Sequence, residues 1–285
     1  MPKIITNDEQ LRRFIPNVFD VVDDESPLYD KLEPFIDSAE DWLEANLLGG
    51  EVMAELSKEP ETGSKLFEAT SRAIAADAFA KAVPSLDLVL TPNGFGIVSN
   101  NNLVPASKER VERLIDSLVT HWSRALQSII EILRKDSLWL ESERGVWWRT
   151  SVLLSMNLVG VAGGDTRNPN QWEELMALRQ QAYPFEQEIA NGWISLELLE
   201  KLTKEYANGT GSRTGVKVFA GIQRAVCMAI KEGRLAIHII HILEDLVTFI
   251  RNNPELNDVW SGTETSKLFS PPIFENKKSA GGYFF

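Results

Sequence analysis

The strongest pattern in the chain is VERLIDSLVTHWSRALQSIIEIL, residues 111–133. Its apolar residues recur at steps of one, three and four: Val111, Leu114, Ile115, Leu118, Trp122, Leu126, Ile129, Ile130 and Leu133. This spacing places them on one face of an α-helix, and that face needs a partner to bury it. At about 1.5 Å per residue the helix would extend on the order of 40 Å.

Similar apolar stripes lie on both sides of this stretch. Residues 32–47 and 64–83 carry them before it, and residues 218–230 and 235–250 carry them after it. Each stripe is followed within a few residues by glycine or proline, as is usual at the end of a helix. The sequence therefore predicts a mainly α protein built as a helical bundle.

Residues 85–104 differ from this pattern. Residues 86–90 alternate, residues 91–94 have the turn sequence Thr-Pro-Asn-Gly, and residues 95–98 favour β-structure. We expect one β-hairpin or a long ordered loop here.

Two local matches suggest an internal duplication. Residues 65–67 (Lys-Leu-Phe) match residues 217–219 (Lys-Val-Phe) at an offset of 152, and Pro34-Phe35 matches Pro184-Phe185 at an offset of 150. The alternative is that amphipathic helices resemble one another by chance.

A third match has a shorter offset. It pairs residues 129–134 with residues 246–251, as an insertion at 84–118 in the first half would produce. We therefore expect a first helical half at 1–145 with a loop or hairpin insertion at 84–104, a second helical half at 146–260, and an extended C-terminal tail at 261–285.

Composition excludes several classes of protein. The 285 residues include 29 Lys and Arg against 41 Asp and Glu, a net charge of −12, which argues against tight non-specific nucleic-acid binding. The single Cys227 excludes an internal disulfide framework and is expected to be buried and inert. Since neither a signal peptide nor a membrane span is apparent, we expect a cytoplasmic protein, or one carried in a virion.

Few residues offer catalytic or metal chemistry. His238, His241 and Asp245 share one helix face and are the candidate metal ligands. Isoleucines flank both histidines, which favours ordinary residues at a helix margin. We therefore assign no catalytic residue, no cofactor and no metal.

Aromatic residues provide the candidate interfaces. Trp147 and Trp148 lie between Arg144 and Arg149, a composition common at interaction sites but also consistent with two indoles buried between the halves. The chain ends in Tyr283-Phe284-Phe285, which would pack on its own domain or in the groove of a neighbour.

A family resemblance adds a biological context. The stretch Leu90–Asn100 (LTPNGFGIVSN) and the following Pro105–Val111 (PASKERV) resemble uncharacterised proteins of Bacteroidetes genomes and their prophages. The opening at Ile4–Leu11 and the ending at Gly281–Phe285 fit the same group. More loosely, the order of helices and loop is similar to the helical head–tail connector proteins of tailed phages.

The resemblance implies a non-enzymatic structural or assembly protein that acts on copies of itself or on other phage proteins. A connector that passes DNA should repel phosphate, which would suit the acidic composition. Its interface candidates are Phe95, Trp147, Trp148 and Tyr283 to Phe285. The alternatives are a helical metal-dependent enzyme and a cytoplasmic protein-binding module.

Overall fold

The computed structural model describes residues 3–15, 27–58, 64–86, 88–91, 94–97 and 107–270, with the backbone alone at 88–91 and 94–97. The α-helices up to Trp148 are α1 (Asp8–Phe14), α2 (Leu28–Leu43), α3 (Gly50–Lys58), α4 (Lys65–Ala82), α5 (Lys108–Leu133), α6 (Ser137–Glu141) and α7 (Glu143–Trp148). Those that follow are α8 (Val159–Ala162), α9 (Gln171–Ile189), α10 (Leu196–Asn208), α11 (Arg213–Glu232), α12 (Ile237–Arg251), α13 (Pro254–Trp260) and α14 (Glu264–Lys267). The prediction of a mainly helical bundle is confirmed.

Shorter elements complete the described backbone. A π-helix follows α2 at Glu44–Leu48 and another follows α9 at Ala190–Ile194. Two turns of 3-10 helix cover Val83–Ser85 and Met156–Leu158. Strands β1 (Leu88–Thr91) and β2 (Gly94–Ile97) pair antiparallel, with Leu88 opposite Ile97 and Thr91 opposite Gly94, inside the region where a hairpin or ordered loop is expected.

The long stripe at 111–133 forms most of α5, which packs along α4. Leu118, Leu126 and Ile129 on this stripe are fully buried. Helix α4 carries buried alanines at 73, 75 and 78, whose small side chains let its neighbouring helices approach closely. The apolar stripe of α5 is therefore buried against α4, as its spacing predicts.

The two halves have the same order of helices. Helices α2, α3, α4, α5, α6 and α7 of the first half correspond in order to α9, α10, α11, α12, α13 and α14 of the second. The central helix is α4 in one and α11 in the other. Helix α4 packs on α2 and α5, and α11 packs on their counterparts α9 and α12. A short helix, α1 or α8, packs on the same central helix.

A buried carboxylate occupies the same place in each half, four residues before the π-helix. Glu40 accepts hydrogen bonds from the N–H groups of Ile4 and Ile5, at 2.9 and 3.2 Å. Glu186 accepts one from the N–H of Val152, at 2.8 Å, and one from the Ser151 hydroxyl, at 2.6 Å. Each carboxylate thus fixes the segment that enters its half.

In each half, the indole N–H of a tryptophan donates a hydrogen bond to a carbonyl of the π-helix. Trp139 Nε1 donates to the carbonyl of Leu47, and Trp260 Nε1 donates to the carbonyl of Trp193, both at 2.9 Å. Leu47 and Trp193 are each the fourth residue of their π-helix. Correspondence at this level of detail supports a duplicated unit rather than a chance similarity of helices.

The structure corrects one of the matches on which the duplication was inferred. Pro34 lies ten residues before the first π-helix, whereas Pro184 lies six residues before the second. The two prolines are therefore not equivalent, and their match is coincidental. The match of residues 65–67 with 217–219 is consistent with the structure, because Phe67 and Phe219 are both buried.

Two predicted boundaries also change. The boundary at 145/146 falls inside α7, so the first half extends to Trp148. The described part of the predicted extended tail, residues 261–270, instead contains α14, with Thr265 and Ser266 buried. Residues 271–285 lie outside the described residues.

The two halves meet through a cluster of tryptophans. Trp42 contacts Trp122 and Trp172 edge to face, at 5.3 and 5.9 Å between ring centroids. Trp148 stacks on Trp172 at 5.7 Å with the rings 11° apart. Arg134 at the end of α5 donates to the carbonyls of Tyr206 and Ala207, at the end of α10. Among the helices of the described residues, none is long and apolar enough to cross a membrane.

Candidate protein-binding groove

The groove begins where the chain leaves α2. The π-helix ends with the N–H of Gly49 donating to the carbonyl of Glu44 at 3.0 Å. Gly49 has φ +81° and ψ 160°, a backbone conformation that glycine alone adopts without strain. The carbonyl of Gly49 then accepts the N–H of Met53 and starts α3. This turn separates α3 from α2 and opens a space between α3 and α6.

That space is a groove of about 1320 Å³ lined by the first π-helix, α3 and α6, which we call the α3–α6 groove. Its floor is apolar, with Leu48 and Trp139 buried and Leu56 nearly so. Leu138 stands on its rim with 83% of its surface exposed. A leucine this exposed beside an apolar floor is typical of a contact surface.

Charge along the groove is mostly negative. The described residues that line it include six carboxylates and two cations. They are Asp41, Glu44, Glu51, Glu55, Asp136 and Glu143, with Lys58 and Arg144. Within the described part of the chain, the ion pair found for these carboxylates is Glu55 with Lys58, at 3.5 Å between exposed side chains. The groove therefore favours a partner with cationic groups.

The equivalent surface in the second half is covered. Helix α13 packs on α10, and the carbonyl of Glu255 accepts a hydrogen bond from Lys201 Nζ at 3.3 Å. The Glu255 carboxylate also accepts one from the Ser212 hydroxyl at 3.0 Å, and Leu256 is buried. Helix α6 has five residues where α13 has seven, and it makes no comparable contact with α3 within the described residues. The surface between α3 and α6 is therefore open in the first half, whereas the equivalent surface between α10 and α13 is covered in the second half.

Size indicates the kind of ligand. Small-molecule sites usually measure about 300 to 1,000 Å³ and enclose their ligand. The α3–α6 groove is larger than this and open along α3. An apolar floor with a charged rim is the arrangement that binds a helix or a peptide.

Of the two tryptophans predicted at an interface, one is available to a partner. Trp148 is 2% exposed and stacks on Trp172, so it joins the halves of this chain and the prediction that it contacts another molecule is wrong. Trp147 is 42% exposed and lines a separate cavity of about 380 Å³ between the halves. The alternative given above, two indoles buried between the halves, therefore holds for Trp148 and not for Trp147.

Arg179 lines this second cavity and joins the two halves there. Its Nη2 donates to the carbonyls of Trp147 and Trp148, at 3.1 and 2.9 Å, and its guanidinium lies over both indole rings. These carbonyls are at the C-terminal end of α7, where a cation is favoured. Burial lowers the pKa of Arg179 to about 10, so the side chain stays charged at neutral pH. Nη1 is buried and has no hydrogen-bond partner in the described residues.

The carboxylates that fix the entering segments have shifted pKa values. Burial raises the pKa of Glu186 against the opposing effect of its hydrogen bonds from Ser151 and Val152. Burial likewise raises the pKa of Glu40. Both groups lie in the interior and serve structure.

The candidate metal ligands do not form a site. His238 and His241 are exposed on α12, and His238 Nε2 lies 2.8 Å from Glu232 Oε1. Asp245 is also exposed, and the described residues contain no group of three or more His, Cys, Asp or Glu able to hold a metal ion. Cys227 is buried, and burial raises the pKa of its thiol to about 11.

The remaining interface candidates are not tested by contacts. Phe95 lies in β2 opposite Leu90, where the backbone alone is described. Tyr283, Phe284 and Phe285 lie outside the described residues. Sequence reasoning missed the α3–α6 groove, although the consecutive Gly49-Gly50 and the apolar Leu138 next to Trp139 were signals of it.

Comparison with known proteins places part of the chain in context. Residues 18–147 match the model of a family of unknown function, DUF6712. The match is slightly less than half of the chain, begins after α1 and ends within α7, so it lies within the first half and includes the α3–α6 groove. No curated protein and no solved structure matches the chain.

Proposed function

We propose that this chain is a non-enzymatic structural or assembly protein that associates with copies of itself, in the manner of the head–tail connector of a phage particle. The observation that carries the proposal is the difference between the halves. One helical unit occurs twice, and its α3–α6 groove is open in the first half while the equivalent surface is covered in the second.

The composition of the groove supports a protein partner. Leu138 and the apolar floor supply the hydrophobic centre that a stable interface needs, and the carboxylates form a polar rim around it. A net charge of −12 suits a particle component that lies near DNA without binding it. The prophage context comes from the resemblance of residues 90–111.

Light scattering after size-exclusion chromatography tests the proposal over a series of protein concentrations. We expect the wild-type chain to form a discrete oligomer. Leu138→Arg should weaken it, because an apolar contact is replaced by a bulky cation at the rim. Ile237→Arg is the matched control, since Ile237 is 66% exposed at the start of α12 and does not line the groove.

Two results would overturn the proposal. A wild-type chain that stays monomeric at every concentration does not assemble with itself, and a binding module for another protein would then be the better explanation. Equal weakening by Leu138→Arg and Ile237→Arg would mean that the groove is not the contact.

A further inference from the structure

We infer that the α3–α6 groove binds the C-terminal segment, residues 271–285, of a second copy of this chain. The inference rests on the proposed function, because it names the occupant of the groove in a self-assembling protein. The sequence of residues 271–285 is PPIFENKKSAGGYFF.

The segment complements the groove in charge. Its side chains include Lys277 and Lys278 against one carboxylate, Glu275, in a chain whose net charge is −12. The groove has the opposite balance, six carboxylates to two cations among its described lining residues. Two adjacent lysines can therefore approach the rim carboxylates while the rest of the segment lies in the groove.

The segment also complements the groove in apolar surface. Tyr283, Phe284 and Phe285 each offer about 150 to 250 Å² for burial. Together they approach the roughly 800 Å² that each partner contributes to a standard interface. The exposed Leu138 and the half-buried Val52 and Leu66 provide an apolar surface for these rings, above the buried Leu56 and Trp139.

The segment begins on the half of the chain that does not carry the groove. Phe269 packs on Trp260 at 5.8 Å, and the N–H of Ser270 donates to the carbonyl of Lys267, so the described chain ends on the second half. The α3–α6 groove, which would bind the segment, is on the first half. A contact of this kind joins unlike surfaces of two copies and so repeats from copy to copy, as in a ring or a filament. Fifteen residues can span up to about 50 Å, enough to cross to a neighbour.

Complementation between two defective full-length chains tests this occupant. The groove variant is Leu138→Arg, and the tail variant combines Tyr283→Ser, Phe284→Ser and Phe285→Ser. We expect each to lose association by about 30-fold or more when alone, as for hot-spot residues. When they are mixed, the intact tail of the first fits the intact groove of the second. The mixture should therefore form a heterodimer of twice 32.0 kDa and grow no further.

The outcomes separate the two proposals. If the wild-type chain assembles and the tail variant assembles equally well, the segment is not the occupant, while the proposed function stands. If both variants are defective and the mixture stays monomeric, the segment does not bind the groove of a second copy, and this inference is overturned. If the wild-type chain is monomeric, the proposed function fails first.

A charge-swapped pair provides a second readout. Lys277→Glu with Lys278→Glu should weaken association, and adding Glu51→Lys with Glu55→Lys in the groove should restore part of it. Failure of the groove lysines to restore association would contradict the assigned contact. Glu51 and Glu55 are on α3 and are not buried, so their replacement leaves the packing of the helix unchanged.

Discussion

Arg179 lies between the halves and is 8% exposed, with its charge directed at the end of α7. Arg179→Met keeps much of the aliphatic volume but leaves the carbonyl of Trp148 without its donor, while the carbonyl of Trp147 still accepts from Thr150. We expect the free energy of unfolding to fall by about 2–3 kcal/mol, because hydrogen bonds to a charged group contribute this much. Urea denaturation followed by tryptophan fluorescence measures the loss. A change below about 0.5 kcal/mol would show that the arginine does not join the halves.

Glu186 makes stability depend on pH in a specific direction. Burial raises its pKa above the ordinary 4.5, so the native state binds the proton more tightly than the unfolded chain does. Its contribution to the free energy of unfolding therefore falls as the pH rises from 4.5 through the raised value. Glu186→Gln cannot ionise, so its stability relative to wild type should be higher at pH 7 than at pH 5. Urea denaturation at both pH values would contradict this if the difference were constant.

At the scale of elements, the two π-helices end in the same unusual backbone. Gly49 has φ +81° and Ser195 has φ +75° with ψ 150°, and Ser195 is the non-glycine residue with positive φ in the described residues. A serine there is strained by about 1–3 kcal/mol. Its hydroxyl also accepts the N–H of Leu198, a cap that glycine replaces at a cost of a few tenths of a kcal/mol.

Ser195→Gly should therefore stabilise the protein by about 1 kcal/mol, after allowance for the greater entropy of glycine in the unfolded chain. Gly49→Ala, which introduces a side chain at the equivalent position of the first half, should destabilise it by about 1–3 kcal/mol. Thermal denaturation of both variants checks the pair. If Ser195→Gly lowers the melting temperature, its hydroxyl contributes more than the strain removes.

The same elements show what sequence predicts and what it does not. The helix at 111–133 follows from its period of apolar residues, since burying one face of a helix requires that spacing. The π-helices have no such signal, because each is a single segment of five residues, too short to define a period of its own. The α3–α6 groove exists because, within the described part of the chain, α6 does not pack on α3 as α13 packs on α10. The absence of a tertiary contact leaves no pattern in the local sequence. Trp147 and Trp148 are adjacent, and only the packing of Trp172 decides which is buried.

At the scale of the whole molecule, an acidic groove and two lysines imply that assembly depends on salt. Raising NaCl from 0.1 M to 1 M shortens the screening length from about 10 Å to about 3 Å. Two exposed ion pairs at about 0.5 kcal/mol each should then be lost, and the dissociation constant should rise roughly fivefold. Analytical ultracentrifugation measures this, with Lys277→Ser and Lys278→Ser as the control that removes the dependence. Tighter association at high salt would indicate a contact without ion pairs.

Closure of each half by its tryptophan has a consequence for how the chain tolerates added sequence. Trp139 and Leu47 are 92 residues apart, whereas Trp260 and Trp193 are 67 residues apart. The entropy lost in closing a loop grows only with the logarithm of its length, so the longer loop costs about 0.3 kcal/mol more. Hairpin β1–β2 lies within this extra length. An insertion such as this hairpin can thus be added to one copy of the helical unit at little cost. The hydrogen bond between the tryptophan and the π-helix still forms, and the stability of the unit stays almost the same.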